Sequence, residues 1–347
     1  MSETRTTRAI ATGNTAPSAR ASAPAPGRGR FEAEGLRRAP IPFGRKLPPA
    51  LPVSTWEDWQ QASPRWITTA LQHAQSLPAT GWTVVDASRS IRIQPACYRL
   101  AGRDYVVWRT PEGPRVALDA CPHMGASLSL GRPCEGDLIC PWHGLRLGVA
   151  GHGAWKPLPV FDDGVLLWVA LDPQAPRLAN PVLTQRPTRY FDAVIRKEAR
   201  CEPVDVIANR LDPWHGAHFH PYSFARLHVI EQGVHDIVVR VVYRVVGRYG
   251  VEVDARFHCP DPATITMTVL RGEGAGSVVE THATAIDAAR TAIIEATLAT
   301  SDRPAFWWFV RASAPFLRPL VRRAALRLWM DDAAYAERLY ALRQGEV

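Results

Sequence analysis

Two short cysteine–histidine pairs have the residue types and spacing of a metal site. Cys121-Pro-His123 is followed, after 16 intervening residues, by Cys140-Pro-Trp-His143. Thiolates and imidazoles are ligands of iron–sulfur clusters and of zinc. Because each pair contains one cysteine and one histidine, each loop can supply one ligand to each iron of a two-iron cluster. The pattern predicts a [2Fe–2S] cluster with two thiolates on one iron and two imidazoles on the other.

A Cys2His2 zinc site uses the same ligand types and is the main alternative. Zinc fingers usually pair cysteine with cysteine and histidine with histidine, whereas this sequence mixes them within each pair. We therefore predict the iron–sulfur cluster. Cys134 lies between the pairs and is predicted to be a bystander, and Cys97, Cys201 and Cys259 are predicted to be ordinary buried cysteines.

A second cluster of possible ligands follows later in the chain. Within nine residues lie Asp212, His215, His218 and His220. A mononuclear non-haem iron uses two histidines and one carboxylate and leaves positions open for O2 and substrate. The spacing does not select two of the three histidines, because Gly216 and Pro221 weaken a continuous helix. The alternatives are a surface histidine cluster and, for Asp212, a helix N-cap followed by Pro213 at the first helical position.

The stretch CPHMGASLSLG…CPWHG resembles the Rieske domain of the Rieske non-haem iron oxygenases and their ferredoxins. Ala126 and Trp142 stand where high-potential respiratory Rieske proteins have two further cysteines, so that subclass is disfavoured. Met124 follows His123 where many ring-hydroxylating oxygenases have arginine, and this departure leaves the subfamily unassigned. The resemblance implies that Cys121, His123, Cys140 and His143 bind a Rieske [2Fe–2S] cluster.

The stretch Asp-x-x-His-x-x-x-x-His resembles the iron motif of the oxygenase catalytic domain. Its form DPWH…H is most similar to the branch that contains pheophorbide a and chlorophyllide a oxygenases. The resemblance implies that His215 and His220 bind a mononuclear Fe(II) and that His218 lies beside the site. It also implies that Asp212 connects a neighbouring subunit's Rieske histidine to a histidine on this iron.

The carboxylate ligand is expected on a late helix, as in the family. The segment LWMDDAAYAERL resembles that region, with Asp332 as the ligand and Asp331 as the alternative. Acidic residues are also common in the first turn of a helix for reasons unrelated to metals.

The pattern along the chain predicts four segments. Residues 1–50 are rich in Ala, Arg, Pro, Ser and Gly and are predicted to be a disordered basic leader, with an organelle transit peptide as the alternative. Residues 55–78 are a helical lead-in, 80–172 the Rieske [2Fe–2S] domain, and 185–347 the non-haem iron catalytic domain. The fold class is α+β: an all-β Rieske domain, then a helix-grip (START-like) domain with an antiparallel sheet and a C-terminal helix.

Charge and composition limit the partners and the location. The formal net charge is +8, but residues 1–46 hold nine basic and three acidic side chains, so the remainder is nearly neutral and predicts no nucleic-acid surface. No apolar run reaches 18 residues, and no signal-peptide core is present near the start. Six well-separated cysteines favour a reduced, cytoplasmic setting.

The segment 306–329 is both aromatic and basic. Its aromatic and cationic members are Phe306, Trp307, Trp308, Phe309, Phe316 and Trp329 with Arg311, Arg318, Arg322, Arg323 and Arg327. Such a segment is typical either of core packing with a solvated basic face or of peripheral contact with an anionic membrane.

The resemblance implies a mono- or dioxygenase that inserts oxygen from O2 into an apolar substrate, terpenoid, sterol-like or tetrapyrrole-like. The segment GEGAGS at 272–277 is not a dinucleotide fingerprint. Electrons are therefore expected from a separate NAD(P)H-dependent reductase or ferredoxin, and the family implies a homotrimer. The alternative is an electron-transfer or redox-sensing Rieske protein that holds no mononuclear iron.

Overall fold

The structure, a computed structural model, describes residues 45–46, 61, 63–246 and 249–346. The predicted leader at 1–50 lies outside these residues except for strand β1 (Arg45–Lys46). Helix α1 (Pro64–Ser76) is the described part of the predicted lead-in. It begins where the Ser63 hydroxyl accepts a hydrogen bond from the Trp66 amide and proline occupies the first turn, both of which favour a helix start.

The first domain consists of nine short strands in three antiparallel sheets, ordered β2-β10-β9, β3-β4-β5 and β6-β7-β8. Their bounds are β2 Thr83–Ala87, β3 Ala96–Leu100, β4 Arg103–Thr110, β5 Gly113–Leu118, β6 Arg132–Cys134, β7 Asp137–Ile139, β8 Arg146–Leu147, β9 Val160–Asp162 and β10 Leu166–Val169. A tight turn joins β3 to β4, with Ala101 and Gly102 at positive φ. The all-β character of this part of the chain is confirmed.

Two buried tryptophans fix the loops that leave this domain's strands. The Trp155 indole N–H donates to the carbonyl of Leu118, at the end of β5, over 2.9 Å. The Trp108 indole N–H donates to the carbonyl of Gly136, just before β7, over 2.9 Å. Both rings are almost fully buried in one apolar cluster that also contains Cys121 and Cys140. The two cysteine loops therefore start from anchored strands.

The second domain is built on one eight-stranded antiparallel sheet. Seven strands follow the order β11-β17-β16-β15-β14-β13-β12, and β1 pairs with β14. Their bounds are β11 Phe191–Ala199, β12 Phe224–Gln232, β13 Asp236–Val246, β14 Tyr249–Asp261, β15 Thr264–Gly272, β16 Val278–Ala285 and β17 Thr291–Ala299. The predicted antiparallel sheet is confirmed, and it is a meander, because strands β12 to β17 are consecutive neighbours.

Three further helices accompany this sheet: α2 (Pro203–Leu211), α3 (His215–Phe219) and α4 (Pro304–Gln344). Ile207 of α2 and Trp329 of α4 are fully buried in the largest apolar cluster, together with side chains of the sheet. Helices on a meander sheet, after an all-β domain, form the predicted α+β architecture. The C-terminal helix is likewise confirmed.

Two local predictions are wrong. Asp212 caps the C-terminus of α2, and the next helix begins only at His215, so Asp212 with Pro213 does not start a helix. Cys97 is exposed rather than buried, because it lies on β3, the edge strand of its sheet, where alternate side chains face solvent. Within the described residues, no helix has both the length and the apolar character needed to cross a membrane.

Candidate metal centres

The two cysteine loops have the same backbone design. In each, the cysteine carbonyl accepts a hydrogen bond from a glycine four residues later, Gly125 at 2.7 Å and Gly144 at 3.1 Å. Each cysteine amide donates to the carbonyl five residues later, over 2.8 and 2.9 Å. Both glycines have φ between 70° and 80°, a region that disfavours side chains. The same Cys-to-Gly spacing, four residues, recurs in both loops of the sequence.

The four predicted ligands converge at the tips of these loops. Cys121 and Cys140 are almost fully buried, whereas His123 and His143 are exposed and their ring centroids lie 4.9 Å apart. Burial raises the pKa of the Cys121 thiol, while the amide N–H of His123 acts against it. Burial also raises the pKa of the Cys140 thiol. Hydrogen bonds from the backbone amides of Trp142 and His143 outweigh burial and lower that pKa below its ordinary value.

This donor set fits a Rieske cluster. The two buried sulfur atoms accept hydrogen bonds from backbone N–H groups, and such bonds stabilise thiolates bound to iron. Two imidazoles lie on the solvent side, where a redox partner can approach. Cys134 is half-buried in β6, outside both loops.

A second group of donors lies in the second domain. His215 Nε2 is 2.9 Å and His220 Nε2 is 2.7 Å from the same oxygen, Oδ1 of Asp332. One ligand atom from each of the three residues lies within 4.8 Å of the others. His220 begins the chain segment after α3, and Asp332 lies on α4. The structure therefore brings together two of the three clustered histidines with a carboxylate from a distant helix.

The protonation of these groups is set by burial and by their mutual contacts. Burial alone would raise the pKa of Asp332, yet the hydrogen bonds with His215 and His220 hold it well below its ordinary value. Burial lowers the pKa of His215, but the contact with Asp332 outweighs burial and raises it. An anionic oxygen between two imidazoles is a donor set suited to Fe(II), with positions left open for other ligands.

Each histidine is also held on the ring edge that faces away from Asp332. His215 Nδ1 hydrogen-bonds the backbone carbonyl of Asp212, and His220 Nδ1 lies 3.2 Å from the hydroxyl of Tyr222. The Tyr222 hydroxyl also donates to Asp331. Asp331 therefore supports His220 from the far side, while Asp332 faces both Nε2 atoms. Such contacts fix the ring orientation and leave Nε2 free for a metal.

Aromatic side chains enclose the group. Tyr335 stacks on His215 with ring centroids 5.4 Å apart. Burial, together with the charges of Asp212 and Asp332, raises the pKa of Tyr335 to about 12. Sequence reasoning missed Tyr222 and Tyr335, although both lie two or three residues from a predicted ligand.

Helix α2 directs polar groups into the interior next to this group. The side-chain amide of Asn209 and Oδ1 of Asp212 are buried, and neither has a hydrogen-bond partner among the described residues. Burial raises the pKa of the Asp212 carboxyl above its ordinary value, although the positive charge of His215 lowers that pKa in part. Asp212 Oδ2 lies 3.9 Å from His215 Nδ1, so its carboxyl adjoins the histidine without reaching the Asp332 side.

Two further residues near this group are His218 and Arg210. His218 is exposed and its ring packs edge-on against Trp214, with centroids 5.6 Å apart, so it does not join His215 and His220. Arg210 lies 3.6 Å from the buried Glu295. Burial raises the pKa of Asp332, the contacts with His215 and His220 lower it, and the positive charge of Arg210 lowers it further. The Arg210–Glu295 pair gave no signal in the sequence, because 85 positions separate the two residues.

The chain matches two family models. Residues 172–347 match a family described as "Domain of unknown function (DUF5914)", and residues 81–162 match the "Rieske [2Fe-2S] domain". The first match covers half of the chain. The second lies within the predicted range 80–172.

Similar proteins and structures carry oxygenase names. The vanillate O-demethylase oxygenase subunit of Pseudomonas sp. (strain HR199 / DSM 7063) is 40% identical over 176 residues, 45% of this chain and 49% of that protein. The chloroplastic chlorophyllide a oxygenase of Chlamydomonas reinhardtii is 29% identical over 143 residues, 37% of this chain and 22% of that protein. The terminal oxygenase of carbazole 1,9a-dioxygenase from Novosphingobium sp. KA1 superposes with a TM-score of 0.54 at 16% identity, covering 83% of this chain and 91% of that one. The alignments thus span half or less of these two curated relatives.

Proposed function

Since this chain belongs to the Rieske non-haem iron oxygenase α-subunits, with DUF5914 as its second domain, we propose that it inserts oxygen from O2 into an apolar substrate. The observation that carries the proposal is the convergence of His215, His220 and Asp332 in a chain that also has a Rieske domain. An electron carrier does not need a site of two histidines and one carboxylate in addition to its cluster. An oxygenase requires it.

In this proposal, Cys121, His123, Cys140 and His143 hold the [2Fe–2S] cluster, and His215, His220 and Asp332 hold a mononuclear Fe(II). Bound there, the cluster would supply electrons one at a time and the iron would supply the site for dioxygen chemistry.

The chain's own groups orient these ligands. The Asp212 carbonyl and the Tyr222 hydroxyl bind the two Nδ1 atoms, so both Nε2 atoms point at Asp332. Burial of His220 and Asp332, which are 1% and 2% exposed, keeps bulk water from the ligand atoms. The side chain of Asp212 would serve as the bridge from a neighbouring subunit's Rieske histidine, which requires a homotrimer or similar assembly.

The proposed substrate class is terpenoid, sterol-like or tetrapyrrole-like. Two observations support an apolar substrate. Phe219, Phe224 and Tyr335 pack against the two candidate histidines. In addition, the name of the chlorophyllide a oxygenase relative assigns that protein a tetrapyrrole substrate. Monooxygenation, dioxygenation and demethylation are equally compatible with these contacts.

The proposed partners follow from the redox chemistry. The chain's sequence offers no dinucleotide fingerprint, so a separate NAD(P)H-dependent reductase or a ferredoxin would supply the electrons. All six cysteines are free thiols in the structure, which agrees with a proposed cytoplasmic location. Membrane contact is a separate proposal, because it depends on α4 rather than on the metal ligands.

The test is the iron and acid-labile sulfide content of anaerobically purified protein. We expect about three irons and two sulfides per chain in the wild type. A His215→Ala/His220→Ala double variant should hold about two irons and unchanged sulfide. His218→Ala is the matched control, since it removes an exposed histidine of the same segment, and it should keep the wild-type content. Two irons in all three proteins would refute the oxygenase proposal and leave an electron carrier or a redox sensor.

A further inference from the structure

The N-terminal half of α4 exposes large apolar side chains along one side. Trp308, Phe316 and Leu320 are 76%, 77% and 64% exposed, and Phe309 is exposed as well. Positions 309, 316 and 320 are separated by seven and four residues, which places them on the same side of an α-helix. Single exposed apolar residues are ordinary, but a row over three turns marks an interaction surface.

A different side of this half, about 100° round the helix from the row at 309, 316 and 320, packs against the sheet. Val310 is buried against Phe191 and Ala193 of β11, and Leu317 and Val321 are partly buried in the same cluster. The helix is therefore apolar on two sides. One side holds α4 to the domain, and the second side contributes nothing to that core.

The exposed side is also strongly basic. Residues 304–330 contain five arginines and no aspartate or glutamate. Arg318 pairs with Asp192, whereas Arg311, Arg322 and Arg323 are exposed. Arg323 is three residues after Leu320, so a cation continues the apolar row. Arg322 acts on the carboxyl of Asp86. Arg311 and Arg323 have no ion-pair partner among the described residues, so the surface combines aromatic side chains with two unpaired positive charges.

We propose that the outer surface of α4, formed by Trp308, Phe309, Phe316 and Leu320, with Arg311 next to Trp308 and Arg323 next to Leu320, docks on an anionic lipid bilayer. Aromatic and leucine side chains enter the headgroup and acyl boundary, and arginines pair with lipid phosphates. A second copy of the chain is a poorer occupant, because a two-fold pairing of this face would bring the same arginines together.

Docking would place the candidate metal site close to the bilayer. Asp332 follows Leu320 on the same helix at a distance of about 18 Å along the axis. Arg327 lies between them and packs over the Tyr222 ring, 3.9 Å from its centroid. A lipid-soluble substrate would then have a short path from membrane to site. This consequence rests on the proposed function, whereas the membrane contact itself does not.

The test is flotation of the purified full chain with vesicles at low salt. We expect binding to vesicles of equal parts phosphatidylcholine and phosphatidylglycerol, and much weaker binding to pure phosphatidylcholine. Arg311→Gln/Arg323→Gln should weaken partitioning about thirtyfold, and Trp308→Ser/Phe316→Ser at least about tenfold. Circular dichroism should show that both variants are folded.

Matched controls remove the same groups elsewhere. Arg92→Gln/Arg226→Gln deletes two exposed arginines from other surfaces and should retain most of the binding. Leu130→Ser/Val234→Ser deletes two exposed apolar side chains and should bind as the wild type does. The basic residues near the start of the chain are present in every variant, so binding through them would survive the α4 substitutions.

Three results would overturn the proposal. The first is that the wild type fails to float with anionic vesicles. The second is that the α4 variants bind as tightly as their controls. The third is that Trp308→Ser/Phe316→Ser dissociates an oligomer in light scattering and leaves vesicle binding unchanged, which would make the face an interface between copies. Because none of these readouts depends on iron, they are independent of the test of the oxygenase proposal.

Discussion

Oδ1 of Asp332 lies 2.7 Å from Nε2 of His220, although 112 positions separate the two residues in the chain. The contact joins helix α4 to the short segment between α2 and β12. It forms because both segments pack next to the same sheet.

Replacing this carboxylate should remove the mononuclear iron and nothing else. In Asp332→Asn the anionic oxygen between the two histidines becomes a neutral amide, so we expect iron to fall from about three to about two per chain with sulfide unchanged. Asp331→Asn is the control at saturating Fe(II): Asp331 contacts Tyr222 and the Nδ1 side of His220, so all three ligands remain and the content should stay at about three irons per chain. Loss of iron in both variants, or in neither, would contradict the assignment of Asp332.

The Tyr222 hydroxyl should tune metal affinity through His220. Tyr222→Phe keeps the ring but removes the hydroxyl 3.2 Å from Nδ1, so iron affinity should fall about tenfold or more, measured by competition with a chelator. Tyr335→Phe keeps the ring that stacks on His215 and should leave iron affinity unchanged. Equal affinities in the two variants would show that His220 is held by packing alone.

Asp212 should control electron transfer rather than metal content. Asp212→Asn keeps the shape of the side chain, and the backbone carbonyl that binds His215 is unaffected, so iron and sulfide should match the wild type. Reoxidation of the dithionite-reduced cluster by O2, followed by its absorbance, should slow about 10- to 100-fold. A variant that reoxidises normally would remove Asp212 from the path.

A buried ion pair of the second domain, next to Asp163 of the first domain, should give a measurable pH dependence. Arg186 binds Glu280 through two hydrogen bonds of 2.7 Å and lies 3.1 Å from Asp163 of the first domain. Burial raises the pKa of Glu280, but the hydrogen bonds from Arg186 and His282 outweigh it and lower the pKa to about 2. A lowered pKa in the folded state means that protons bind the unfolded chain first as the pH falls.

The Glu280 carboxylate should therefore add about 3 kcal/mol to the free energy of unfolding above about pH 4.5. This contribution should be lost as the pH falls from about 4.5 to about 2. Urea unfolding of the metal-free protein measures it, since acid then cannot act through loss of iron. Glu280→Gln should lack this part of the pH dependence, and the exposed Glu198→Gln should retain it. Identical curves for Glu280→Gln and the wild type would contradict the prediction.

Features that depend on neighbouring residues were predictable from the amino-acid sequence. The two Cys/His pairs are complete within short loops, so their spacing identified the cluster pattern, and the Rieske family model covers them. The meander was predictable because strands that follow one another pair with one another. The C-terminal helix was equally visible, because a long stretch free of strand signals ends the chain.

The side chains that meet in the second site could be identified only from the packing of distant segments. His215, His218 and His220 lie within six residues, but His218 is on the exposed side of α3, whereas His220 follows the helix and is buried against Asp332. Asp331 and Asp332 are adjacent, but neighbouring helical residues point about 100° apart, so α4 buries one and leaves the other at the rim. The contacts of Tyr222 and Arg210 were equally invisible, because packing between distant segments produces them.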